Sequence, residues 1–500
     1  MTWPAILFWL LIFTGAYQRG PLLLYIFTVA GAFGSLQMVP GDMVGGVNLL
    51  PQSICAVFLV GKVLLSKGHM VGALNAVLDP AKLGLLFLFL AYGLLSAYAM
   101  PRLFTHSVEV IPISASVLEP VALEPTAANI TQPAYMALSI GVTLAFTLVG
   151  GGTNFQRHFL QAVLLGGIVL IGTGLVDFLL ATAGLADLLE PFRNASYALL
   201  VDVEAAGAKR VIGLMPEASA YGPSCAGAAA SLAFLRPCFP NGLRDLIVPA
   251  TILGLIAMAV LSTSSTAYVG LGVFGVVYAL NWLRRFLSPS ALARNGLKWE
   301  AVAAIAAFLV FLFVLALTPR LLDPVLDTVN DLVFQKSQSN SYIERTMWTK
   351  VGMDALFATN GLGVGLGSAR ASNWYVAILS NTGIIGGTLL ALFIARLFLQ
   401  RGPCEPGAAE FVAGLKFSLL PGFVMAALAG TTPDFGVGTG ATFGLITSLA
   451  SAPQLPSPPS GSAMPADRVI ADSRAADRRY DWVDRRVSAK GLYRQSDEAT

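Results

Sequence analysis

Charge is what this 500-residue chain has least of: 12% of its residues are charged and 55% are hydrophobic. Its 31 Lys and Arg against 28 Asp and Glu leave a net charge of +3, too little for the basic footprint of a nucleic-acid binder. Histidine is scarcer still. His69, His106 and His158 lie far apart, as do Cys55, Cys225, Cys238 and Cys404, and no spacing among them fits a metal site or a disulfide framework. No metal and no other cofactor is expected. The opening stretch MTWPAILFWLLIFTGAY has no basic lead and no small-residue cleavage pattern, so it reads as a span and not as a removable signal.

What fills the chain is apolar sequence, with a mean hydropathy of +0.71. Runs near 4–17, 21–36, 50–65, 83–100, 134–150, 159–182, 223–236, 246–262, 264–282, 300–318, 374–396, 411–430 and 436–451 each approach the length that crosses a bilayer. The first and seventh are short for a full crossing. These runs predict an all-α polytopic bundle of about 12–14 membrane helices over residues 1–451, with the lipid bilayer as its first partner. After residue 451 the composition turns to Pro and Ser, then Arg and Asp, and 452–500 reads as a disordered cytoplasmic tail. Lys62, Lys67, Lys82, Arg157, Arg236, Arg244, Arg284, Arg285, Arg294, Lys298, Arg396 and Arg401 fall on one side if the runs alternate, and that side is expected to be the cytoplasm. The opposite side then receives three long connections, near 101–133, 183–222 and 319–373, and the N-terminus.

The first connection is rich in proline and β-branched residues and reads as extended, with room for a short hairpin, in a supporting role. In the second, Leu188, Phe192, Leu199, Val203 and Ala206 recur at helical spacing while Asp187, Glu190, Arg193 and Asn194 face away, the pattern of an amphipathic surface helix leading to Arg210. The third opens on a similar stripe, Leu322, Val325, Val329, Leu332 and Val333. It restarts at Ser341, where Glu344 three residues on completes a capping box. Arg345 and Trp348 then share a helix face, and the glycines of 361–367 end the helix and allow a tight return. That glycine run follows no strand, which excludes a nucleotide-binding reading.

Arg210, Arg345 and Arg370 gather cations on the side where membrane proteins keep few, and a guanidinium binds phosphate bidentately at any working pH. An anionic ligand is expected there. Glu217, seven residues after Arg210, is the candidate general base toward a sugar hydroxyl, or else a partner that holds Arg210. Tyr221, Trp348 and Trp374 have flat faces suited to sugar rings, although interfacial aromatic belts contain the same residue types. Asp177 and Lys416 are ionisable groups inside apolar runs, the places to seek an ion path, and Asn129 and Asn194 begin glycosylation sequons.

These islands resemble the O-antigen ligase and Wzy-type polymerase superfamily of bacterial envelope glycosyltransferases. The similarity rests on Arg210, Gly213 and Glu217-Ala218-Ser219, then on Arg345 with Trp348, the Gly363–Gly367 return, and Ser372-Asn373 followed by Gly383 and Gly386. It covers the architecture of the membrane domain, with motif matches confined to about 210–222 and 341–386. The resemblance implies a GT-C-like helical fold in the inner membrane and transfer at the periplasmic face from a polyprenyl-diphosphate-linked glycan donor to a similarly linked acceptor. It implies neither a nucleotide sugar nor a metal, with Arg210 and Arg345 engaging the donor diphosphate; it leaves the base unassigned, and Glu217 is the candidate the residues offer. Arg370, Trp348, Tyr221, Ser372 and Asn373 are the expected substrate contacts, and a chain-length co-polymerase is a candidate partner. One departure matters: Ser372 stands where a ligase carries a histidine thought to activate the acceptor, and serine is no comparable base at neutral pH. This favours a polymerase over a ligase. A flippase or transporter and a scaffold subunit of a secretion complex are the rival classes.

Overall fold

Lipid offers the backbone nothing to bond with, so each apolar run folds as a helix that satisfies its own N–H and C=O groups. The computed structural model of the chain describes residues 1–44, 48–113, 119–195, 204–205, 208–302, 305, 340–400, 402–403 and 405–450. Its helices are α1 (Trp3–Tyr17), α2 (Leu22–Ala30), α3 (Pro51–Leu64), α4 (His69–Leu78), α5 (Gly84–Leu103), α6 (Ala128–Val149) and α7 (Thr153–Thr182). They continue with α8 (Ala218–Leu235), α9 (Val248–Leu261), α10 (Ser265–Leu287), α11 (Asn340–Ala358), α12 (Trp374–Leu399), α13 (Pro406–Ala429) and α14 (Val437–Ala450). Among the described residues seven helices are long and apolar enough to cross a membrane: α5, α6, α7, α9 with the π turn Leu243–Ile247 before it, α10, α12 and α13. The bent pair α3 and α4 makes an eighth candidate, and α1 and α14 are shorter apolar helices. The protein is an all-helical, multi-pass membrane protein.

Several expectations need correction. The run at 21–36 is helical only to Ala30, and α4 was not foreseen: it leaves α3 at 105°, burying Ala73 and Ala76 while Met70, Val71, Leu74 and Leu78 stay exposed. The second connection is not an amphipathic helix through to residue 206. It forms a 3-10 segment, Ala186–Phe192, interrupted by Pro191, and later a two-residue antiparallel pair, β3 (Glu204–Ala205) with β4 (Ala208–Lys209). Its faces are only partly as expected: Asp187 and Glu190 are exposed and Phe192 packs on Trp3 and Phe33, but Leu188 is exposed, and Arg193 and Asn194 point into the protein. Most of the 300–318 run, the 322–333 stripe, Leu199, Val203 and the 452–500 tail lie outside the described residues.

The basic ends of the helices meet on one face. Arg284 on α10 pairs with Glu410 on α13 at 2.7 Å, and Arg285 and Arg236 converge on Glu300. Lys62 at the end of α3 donates to the carbonyls of Gly15 and Gln18 at the end of α1, at 2.8 and 2.6 Å. Lys416, an ion-path candidate, instead donates to the Phe398 and Gln400 carbonyls at the end of α12. Exposed charge pairs contribute little, but Arg285 is 1% exposed and held by its carboxylate and by the Ala293 and Asn295 carbonyls. Alternation of the helices puts Arg210, Arg345 and the long connections on the other face.

Close helix contacts depend on small residues. Gly440 and Gly444 lay α14 directly on α6, where a Cβ would fall 2.5 and 2.4 Å from the Ser139 and Thr143 carbonyls. The first connection does contain a hairpin, β1 (Glu109–Val110) with β2 (Val121–Ala122), and its Val108, Val110 and Leu123 pack on Ala355, Val364 and Ala369.

The glycine return is more deeply built than a loop. α12 breaks at Gly383 (φ 63, ψ −172), which frees carbonyls that the return uses: Val364 N–H donates to Ser380 O and Gly365 N–H to Asn381 O, while Ile384 N–H donates to Gly361 O. Asn381, fully buried, accepts from the N–H groups of Gly367, Ser368 and Ala369 and donates to the Ala369 carbonyl. Asn129 joins from α6, donating to Leu366 O and Ser368 Oγ, so this sequon asparagine is spent inside the protein; Asn194 is likewise bonded to Gln37. A Cβ at Gly383 would meet Leu362 O at 2.3 Å in a backbone region that belongs to glycine. Gly383→Ala should therefore cost at least about 2 kcal/mol, read as a clear fall in the thermal unfolding midpoint in detergent; an unchanged midpoint would contradict this account of the break.

Candidate functional site

Arg210 is fixed from both directions along the chain. Asp177, near the end of α7 and 1% exposed, accepts from Arg193 Nη2 at 2.7 Å through Oδ1 and from the N–H groups of Ile212 and Gly213 at 2.9 and 3.1 Å through Oδ2. Arg193 Nη2 also donates to Gly213 O at 2.7 Å. Asp177 is thus the anchor of the Arg210 loop and not a step in an ion path. Beyond the anchor, Arg210 reaches the turn between α9 and α10: Nε donates to Ser262 O and Thr263 Oγ1 at 3.2 and 3.0 Å, and Nη2 to Thr263 O at 3.1 Å. Thr263 has φ +48, a strained conformation for a β-branched residue, and it occurs where the turn presents these acceptors.

Burial lowers the Arg210 pKa. Glu217 and Tyr268 oppose that shift, and Arg345 adds to it, so each of the three lies within electrostatic reach of Arg210. Glu217 stands at the N-cap position of α8, where its carboxylate accepts from Ser219 Oγ.

Arg345 lines a cavity of about 660 Å³. From α11 it is joined by Tyr342, Thr346, Thr349, Lys350 and Met353; the opposite walls are Ser265, Thr266 and Val269 on α10, Ser372 and Asn373, and Ala427 and Leu428 on α13. Two helix N-termini therefore open on the cavity. Ser264 caps α10 through Ala267 N–H, and Asn373 caps α12 by accepting from Tyr375 and Val376 N–H at 3.0 and 3.3 Å. Helix N-termini and cations both favour an anion, and here they coincide. Ser372 is 6% exposed and its Oγ has no hydrogen bond within the protein.

The other expected contacts are distributed differently. The Arg370 guanidinium lies over the Trp348 ring at 5.1 Å, its backbone N–H donates to Ile111 O of the hairpin, and burial lowers its pKa. Arg370 and Trp348 are not among the cavity's lining residues, so the stack supports α11 from beside the cavity instead of standing at its rim. Tyr221 is a correction: it is fully buried, its hydroxyl donates to Leu170 O, and its ring fills the space left by Gly174 and Gly213, so neither face is open to a sugar. Trp374 is 5% exposed and stacks on Phe423.

Lys350 was missed because it lies five residues after Arg345, off the three-or-four spacing that marks one helix face; its long side chain reaches the cavity regardless. The Asp177–Arg193 pair was missed because the sequence places Asp177 inside an apolar run and Arg193 on the polar face of a surface helix. No family model matches the chain, and no curated protein matches it. The assignment of roles therefore rests on geometry.

Removing Asp177 would leave Arg193 buried without its carboxylate. Asp177→Ala should cost about 3–5 kcal/mol, seen as a lowered unfolding midpoint, and the double replacement Asp177→Leu with Arg193→Met should recover much of the loss. Equal destabilisation by the single and the double replacement would contradict an ion-pair anchor.

Proposed function

We propose that this protein is a metal-independent inverting glycosyltransferase that polymerises polyprenyl-diphosphate-linked oligosaccharide repeat units at the periplasmic face of the bacterial inner membrane. The observation that carries the reading is the cavity bearing Arg345 and Lys350 together with the N-termini of α10 and α12, with Arg210 close by. Such a site is matched to a leaving diphosphate. As the acceptor hydroxyl attacks the anomeric carbon, the bond from that carbon to the phosphate oxygen breaks and its electron pair leaves with the diphosphate. Preorganised cations and backbone dipoles stabilise that growing charge without reorganising. A single displacement inverts the anomeric carbon.

The ligase alternative requires a base at residue 372. Ser372 provides a hydroxyl there, which favours the polymerase reading. In a strain lacking the gene, single repeat units should accumulate on carrier that has already reached the outer leaflet. Arg345→Ala, inserted at normal levels, should reduce long polymer by about 100-fold, and Lys350→Ala by a smaller factor of about tenfold. Full-length polymer from a normally inserted Arg345→Ala protein would overturn the role of Arg345, and repeat units trapped facing the cytoplasm would point to a flippase instead.

A further inference from the structure

Among the described residues every buried or half-buried arginine but two gives its guanidinium to a carboxylate or carbonyl oxygen. The two are Arg345, which faces the cavity of about 660 Å³, and Arg370, which lies beside it. Three other buried polar atoms near this face also lack a hydrogen bond, Ser372 Oγ, Trp374 Nε1 and Asp434 Oδ1, but they are sealed within the protein. Arg370 differs. Its Nε is sealed and unbonded, while its two Nη groups are not sealed and find no oxygen among the described residues.

The Arg370 side chain is held in place from several directions. Asn381 fixes Ala369 at both its N–H and its C=O, the Arg370 N–H donates to Ile111 O at 2.7 Å, and the guanidinium lies 5.1 Å from the centre of the Trp348 ring. The ring attracts the cation but gives its N–H groups no oxygen. Glu109 and Glu124 stand in the same connection as Ile111, yet Glu124 meets His106 at 3.4 Å and neither pairs with Arg370. Burial lowers the Arg370 pKa, and no neighbouring charge contributes to that shift. Charges withdrawn from water are ordinarily paired, and ordering a long arginine side chain costs rotamer freedom. Nothing among the described residues offsets both.

The two unpaired arginines stand in different electrostatic settings. Arg345 shares its cavity with Lys350 and two helix N-termini, a setting for a multiply charged group such as a diphosphate. Arg370 carries one positive charge with no contributing neighbour, which matches a single negative charge. Its sealed Nε leaves only the Nη1–Nη2 end of the fork to meet a ligand, and two parallel N–H groups suit the two oxygens of a carboxylate. Arg345 and Trp348 are three residues apart, a rise of about 4.5 Å along α11. A carboxylate at Arg370 therefore belongs to a sugar near the diphosphate. We propose that Arg370 reads a carboxylate on the lipid-linked repeat unit, so that the glycan this protein joins is acidic, with a uronic acid or another monocarboxylated sugar close to the diphosphate. This rests on the glycosyl-transfer reading above. Arg370 selects the substrate and takes no part in the displacement itself.

The first measurement needs no variant. Glycan released from the carrier lipid of a strain that lacks the gene is hydrolysed and its sugars are identified, and at least one carboxylated sugar per repeat unit is expected. A repeat unit of neutral sugars, or one whose only charge is a phosphate ester, overturns the proposal and leaves the polymerase reading intact. Failure of any carrier-linked repeat unit to accumulate at the outer leaflet defeats the polymerase reading, and this proposal with it. The second measurement uses the full chain in liposomes supplied with those repeat units. Arg370→Gln, which keeps hydrogen-bonding capacity without the charge, should raise KM about tenfold with kcat within about twofold of wild type. Its KM should also rise less steeply with added salt than that of wild type. Arg370→Lys, which keeps the charge but not the fork, should fall between the two. An Arg370→Gln protein whose KM and salt response match wild type, or whose loss is confined to kcat, overturns the role of Arg370.

Discussion

The loop that carries Arg210 depends on one buried carboxylate. Asp177 binds the Arg193 guanidinium on one oxygen and two consecutive backbone N–H groups on the other, which joins the end of α7, the return from the 3-10 segment and the loop that carries Arg210. Removing a carboxylate from water is costly, and the cost is offset only when its acceptor sites are filled. Here both oxygens have partners. The fixed loop then presents Arg210 to the strained Thr263 turn, and that turn leads straight into the first residues of α10, one wall of the Arg345 cavity. Position at this site is passed from one backbone bond to the next.

A second constraint shapes the other wall. An interrupted helix within a membrane needs partners for the carbonyls it frees. α12 obtains them from the glycine return between α11 and α12, and Asn381 acts as the clasp. The return could not approach so closely with side chains at 363 or 383, where the two backbones meet. This fixes Ser372 and Asn373 at the head of α12 and so determines which groups the cavity receives.

Much of this architecture was legible in the sequence, because the length and apolarity of a span are properties of a single segment. The basic residues predicted the face on which Arg284, Arg285 and Lys62 meet, and the Arg345 helix was placed within a residue of where α11 is described. What escaped were features decided by two segments at once. Arg193 looked like a surface charge because nothing in its own neighbourhood reveals that Asp177 waits sixteen residues earlier in the folded interior. Tyr221 had the composition of a sugar platform, but the glycines that make room for it, Gly174 and Gly213, belong to other elements. Asn381 and Asp434 lie in short polar stretches, Ser380-Asn381-Thr382 and Thr431-Thr432-Pro433-Asp434, with no periodicity to mark them.

The buried polar atoms without a hydrogen bond are distributed unevenly. Ser372 Oγ, Trp374 Nε1, Arg370 Nε and Asp434 Oδ1, four of the eight such atoms among the described residues, belong to the outward half, whereas the opposite face is closed by ion pairs and capped carbonyls. Each unspent atom subtracts from local stability. The molecule is in this sense built as a rigid base supporting a weaker upper storey, where opening motions require the least energy. Selection for stability alone would replace those four polar groups with apolar ones, so their persistence would come at the expense of resistance to heat.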